Sequence, residues 1–244
     1  MNINEKLANL YQSKWNGLCE SLETNGLFGY EYNPLLLNIN IADFEKADIR
    51  VMMFGQDMSQ GDWYQYDRNA DILTKCMLAY KTFDNKIGSI YPDKRPITKG
   101  MGGGMNSFIK MLNAKYADKN IRYVWNDIIK IGRNTKDNDK RILLKGIECK
   151  EFDVLREEIK IIQPQVIVFF TGPDIYWERI LQERLGITMD NYREFPQYNI
   201  RQIAKLDLDV NEYPFVKYAF RTYHPCYYKG RPGRYNSIIE SIVL

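Results

Sequence analysis

Gln165-Val-Ile-Val-Phe-Phe-Thr171 carries no charge, and after Gln165 every residue is β-branched or aromatic. A run that is apolar throughout, rather than at every second position, describes a strand buried on both faces. Gly172-Pro173 follows and turns the chain into an expected helix reaching about Leu185. Pro173 is expected at the helix start, where its missing N–H costs nothing. The same alternation recurs along the chain. Asp48 to Gly55, Ile121 to Asn126, Arg201 to Leu206 and Tyr218 to Tyr223 read as further strands. Glu5 to Leu22 carries Leu7, Leu10, Tyr11, Trp15, Leu18 and Leu22 at helical spacing. Ala70 to Phe83, Asn106 to Tyr116, Phe152 to Ile162 (stopped by Pro164) and Arg234 to Ile242 also read as helices. Lys99 to Met105 is expected to be a loop, because four glycines in the six residues from Gly100 disfavour a helix.

Alternating strands and helices predict an α/β fold: three layers, α/β/α, around a mostly parallel sheet of four or five strands. One domain over residues 1–244 is expected, with residues 1–45 as a helical extension packed on it. A hydrophobic content of 45% is enough for a sizeable core. Ligands of such sheets bind beyond the carboxyl ends of the strands. That rule selects the loops after Phe54, Trp125 and Tyr223.

Composition narrows the chemistry. No two of Cys19, Cys76, Cys149 and Cys226 form a CxxC pair, so no disulfide framework, metal site or cofactor is expected. No apolar run approaches the roughly 18 residues of a membrane span, and a cytoplasmic monomer without a membrane partner is expected. The 18 tyrosines exceed what a core requires. They suit a surface that stacks on nucleobases, and equally an AT-rich codon usage. Net charge is only +3, but Lys217, Arg221, Lys229, Arg231 and Arg234 lie in a stretch with no acid. This is either a phosphate-binding patch of about three contacts or a solvated loop.

Three polar residues stand at the selected strand ends. Asp57, between Gly55 and Gly61, is placed to orient or activate a water, or to cap a turn. Asn126 offers a donor and an acceptor matching a pyrimidine edge, or a cap. His224 is the chain's single histidine, fixed by Pro225 inside the acid-free stretch. It is placed to donate to an oxygen that gains negative charge.

Gly55-Gln56-Asp57, Asn126 in its apolar strand, and His224-Pro225 resemble, in order, the motifs of the uracil-DNA glycosylase superfamily. Asn106-Ser-Phe-Ile-Lys-Met-Leu112 is similar to the helix after that family's first catalytic loop, and Gln163-Pro-Gln-Val-Ile-Val-Phe-Phe170 to its third core strand. The resemblance covers about residues 48–244. It implies hydrolysis of the N-glycosidic bond of a damaged base flipped out of DNA. It assigns catalysis to Asp57 and His224 and base binding to Gln56 and Asn126. Trp63 and Tyr80 are the candidates for stacking on the base. Lys229, Arg231 and Arg234 would hold phosphates, and Tyr228 would be the wedge filling the gap left by the base. The sequence departs from the family at Met58 and Ser59, where Pro and an aromatic are usual. It departs again at Cys226, where Ser is usual, and at Tyr228, where the wedge is usually Leu. These changes alter the base filter and the DNA clamp, so the alternative is a non-catalytic nucleic-acid or nucleotide-binding module on the same fold.

Overall fold

The computed structural model describes residues 1–28, 34–57, 72–84, 100–132 and 135–244. Among these the elements run α1 (Ile3–Thr24), α2 (Ile41–Glu45), β1 (Ile49–Asp57), α3 (Ile72–Asp84), α4 (Gly100–Lys115) and β2 (Ile121–Ile129). They continue with α5 (Asn138–Glu151), α6 (Leu155–Ile162), β3 (Val166–Phe169), α7 (Ile175–Leu185), β4 (Tyr192–Arg193), β5 (Ile203–Leu206), β6 (Tyr218–Thr222) and α8 (Arg231–Ser241). The fold class is α/β/α with a mostly parallel sheet, as the alternation predicts. The contacts divide the chain into two compact units.

The first unit comprises Met1–Ile41, Gln56–Asn85 and Asn126–Ile162. Helix α1 opens with a capping box. Glu5 N donates to the Asn2 side chain at 2.9 Å, and Asn2 N donates back to the Glu5 carboxylate at 2.8 Å. The face expected to be apolar is the buried one: Leu7, Tyr11, Trp15, Leu18 and Leu22. It packs on α3, α5 and α6. Fully buried Phe152 seats it, with ring centroids 6.2 Å from Tyr11 and 6.0 Å from Trp15. Burying each such side chain contributes about 1.5–3 kcal/mol.

The second unit comprises Ala42–Gly55, Lys86–Trp125 and Gln163–Leu244. Among the described residues the sheet has six strands in the order β2-β1-β3-β6-β5-β4. Strands β1, β3 and β6 are parallel, with Phe54 beside Phe169 and Phe169 beside Arg221. Strands β5 and β4 complete one edge antiparallel. The strand beyond the expected five is β4, whose two residues are too short to carry a sequence signal. Phe170, near the end of the uncharged run, packs edge-on to Phe108 of α4 and close to Tyr235 of α8. No described helix is long and apolar enough to cross a membrane.

Several boundaries correct the sequence reading. The glycine-rich stretch from Gly100 is the first turn of α4, not a loop. Asp174, not Pro173, caps α7, which starts at Ile175. Helix α5, capped by Asp137, has no counterpart among the expected elements. The Phe152–Ile162 helix begins only at Leu155, because Phe152 closes α5. Helix α8 begins at Arg231, three residues earlier than expected, behind Gly230 at φ +66°.

Candidate active-site loop

Strand β6 delivers residues 223–230 as a loop between Thr222 and α8. Tyr223 and His224 are half-buried, Pro225 is buried, and residues 226–229 are exposed. The loop is held from within. His224 O accepts from Tyr227 N at 2.8 Å, and Tyr228 O accepts from Arg231 N at 3.1 Å. Cys226 N donates to His224 Nδ1 at 3.3 Å. A ring nitrogen that accepts carries no proton, so the proton resides on Nε2. Burial pulls the His224 pKa below its ordinary value. The group is therefore a neutral imidazole at neutral pH, with an Nε2–H donor in a fixed tautomer.

Arg231 and Arg234, expected on phosphates, are buried at 4% and 3% exposure and brace this loop instead. Arg231 Nη1 donates to Pro225 O at 2.7 Å. Arg234 donates to Lys229 O through Nη1 and to Tyr227 O through Nη2 at 3.2 Å. Its guanidinium lies 4.9 Å from the Tyr223 ring centroid and 5.3 Å from that of Tyr227. Arg221 is also buried, and Lys217 immediately precedes β6, so the whole strand separates it from the loop. The basic stretch therefore places one cation on the exposed tip, Lys229, beside Tyr228 at 67% exposure. Charge counting missed this because an arginine's burial is invisible in the sequence.

Helix α4 supplies the loop's floor. A Cβ on Gly104 would collide with Pro225 O and stand 2.6 Å from Pro225 Cβ. Only glycine permits that approach, which explains why a glycine-rich turn is helical here: packing outweighs propensity. The signal for Gly104 was present in the sequence, but it reads equally as a breaker.

The remaining candidates among the described residues lie in the first unit. Gln56 and Asp57 end β1 and are half-buried. Trp63 lies outside the described residues. Tyr80 is fully buried in α3 and presents no face for stacking. Asn126 is fully buried as well. Its Nδ2 donates to Glu158 Oε2 at 2.8 Å, and its Oδ1 accepts from Asp127 N at 2.9 Å and from Lys130 Nζ. Lys130 and Glu158, neither exposed, form an ion pair at 2.8 Å. Tyr11 Oη donates to Glu158 Oε1 at 2.6 Å. Burial first, and then the Glu158 charge, raise the Tyr11 pKa and keep it a donor. The Asn126 amide thus belongs to a core network and is not displayed to a base edge. Neither Lys130 nor Glu158 carries a sequence signal for this role. Among the described residues no cluster of three or more His, Cys, Asp or Glu gathers as a metal site. No protein-family model matches the chain, and no curated protein matches it significantly.

Proposed function

We propose that the chain is a DNA glycosylase-like hydrolase that cleaves the N-glycosidic bond of a flipped, damaged base. The observation that carries this reading is the neutral His224, its Nε2–H oriented on a braced loop at a strand end. In the reaction the bond from C1′ to the base nitrogen breaks and the base leaves with the electron pair. His224 Nε2 donates to the base oxygen on which negative charge accumulates. Water adds to C1′. The resemblance assigns to Asp57 the role of orienting that water, taking its proton and offsetting the positive charge of the sugar. DNA contact falls to Tyr228 and Lys229, because Arg231 and Arg234 are engaged in the loop. The engaged Asn126 amide favours a second reading, a nucleic-acid-binding module without catalysis. Incubation with oligonucleotides carrying uracil, hypoxanthine or xanthine, followed by alkali, separates the two. Strand cleavage at a lesion supports the enzyme; binding without cleavage supports the module.

A further inference from the structure

The tip of the His224 loop exposes more aromatic surface than charge. Tyr227 is 43% exposed and Tyr228 67%, with Lys229 as the one exposed cation within the loop. The two segments tied to the loop's base add no net charge. Gly172 N donates to Thr222 O at 2.9 Å, and the segment it begins contributes exposed Asp174. Thr222 Oγ1 donates to Gln202 O at 3.0 Å, beside exposed Arg201. A duplex offers phosphates and covers its base faces, so the loop would hold it by little more than Lys229. An exposed ion pair changes affinity about fivefold at most. A base stacked on an aromatic side chain changes it roughly fivefold to 150-fold.

The Tyr227 ring is also preset. Its N donates to His224 O at 2.8 Å, and its O accepts from Arg234 Nη2 at 3.2 Å. The Tyr223 ring centroid lies 4.4 Å from that of Tyr227, and the Arg234 guanidinium 5.3 Å from it. Arg234 is in turn 4.9 Å from the Tyr223 ring. These three separations make a nearly equilateral triangle, so Tyr223 and Arg234 reach Tyr227 from the same side. The opposite side of this partly exposed ring is left for a ligand. A ring held in this way loses little freedom when a base stacks on it. Tyr228, next in the chain, has no ring partner among the described residues.

We propose that the loop binds single-stranded DNA, with Tyr227 and Tyr228 stacking on unpaired bases next to the nucleotide held at His224. The proposal rests on the DNA-glycosylase reading of the same loop and names its substrate as an unpaired strand. Such a strand also presents its base at the least unpairing cost. Tyr228 then has a different part from the wedge of the resemblance, which needs a gap in a duplex to fill.

Fluorescence anisotropy tests this with a labelled thymidine oligonucleotide, alone and annealed to its complement, at equal salt. The single strand is expected to bind more tightly than the duplex. Its slope of log K against log salt should lie near −0.7, the value of about one phosphate contact on a single strand. Tyr227→Ala and Tyr228→Ala should each weaken it roughly fivefold to 150-fold. Tyr227→Phe and Tyr228→Phe, which keep the ring, should bind as the wild type does. Lys229→Ala should weaken it about fivefold or less. Duplex binding as tight or tighter overturns the proposal, as does no binding of the single strand. Phe variants as weak as the Ala variants overturn it too. Binding without a lesion is independent of excision, so a duplex preference would remove the single-strand proposal and leave the glycosylase reading standing.

Discussion

A protein with one histidine allows that residue to be measured without assignment ambiguity. Burial lowers the His224 pKa, so NMR titration should place it below the ordinary value of about 6.5. A measured value above this contradicts the loop geometry. The sign fixes the pH response. Because folding depresses the pKa, acid charges the unfolded chain first. The group's contribution to stability is intact above about pH 6.5 and is lost as pH falls through the folded pKa. A second residue-scale prediction concerns the buried pair. Glu158→Gln removes the carboxylate that pairs with the buried Lys130 cation, a loss of about 3–5 kcal/mol by denaturant unfolding. Adding Lys130→Met should recover part of that loss: the buried cation is removed, while the amide's single oxygen accepts from only one of Tyr11 and Asn126, which donate to different oxygens of Glu158. A double variant as unstable as the single one contradicts this account of the network.

Among the elements, α4 carries the clearest disagreement between propensity and packing. In an open helix, Gly→Ala stabilises by about 0.8–1 kcal/mol. At Gly104 the added methyl would run into Pro225 O, so Gly104→Ala should instead cost about 1–3 kcal/mol. Denaturant unfolding decides, and a stabilised variant would show that α4 does not bear on the His224 loop. This case also shows what the sequence could and could not disclose. Strand β3 and the Val51–Phe54 part of β1 were legible because burial on both faces forces a continuous apolar run. Helix α1 was legible because one face only is buried. The start of α4 was not, because glycine signals a breaker and a close contact alike. His224 was legible as a lone titratable group at a strand end. Arg231 and Arg234 were misread because a guanidinium that braces carbonyls looks, in sequence, like one that holds phosphate. Asn126 was misread for a related reason: its partners Lys130 and Glu158 are 4 and 32 residues away, and only folding brings the second to it.

For the molecule as a whole, burial of three of the five cations in the acid-free stretch changes the expected mode of DNA binding. Charge counting gave about three phosphate contacts. Lys229 alone gives a slope of log K against log salt near −1 on duplex DNA, by the rule of about −0.9 per phosphate. A slope near −3 would place further cations on the DNA, against that rule's single contact. The catalytic reading is tested most directly by single-turnover excision from a lesion-bearing oligonucleotide, with enzyme in excess. Donation from His224 Nε2 acts only on charge that appears as the base leaves. His224→Ala should therefore lower the rate roughly a hundredfold to a thousandfold with DNA binding nearly intact, and Asp57→Asn should slow it as well. Lys229→Ala should weaken binding and leave the rate at saturation unchanged. Excision at the wild-type rate by both His224→Ala and Asp57→Asn would contradict the proposed mechanism.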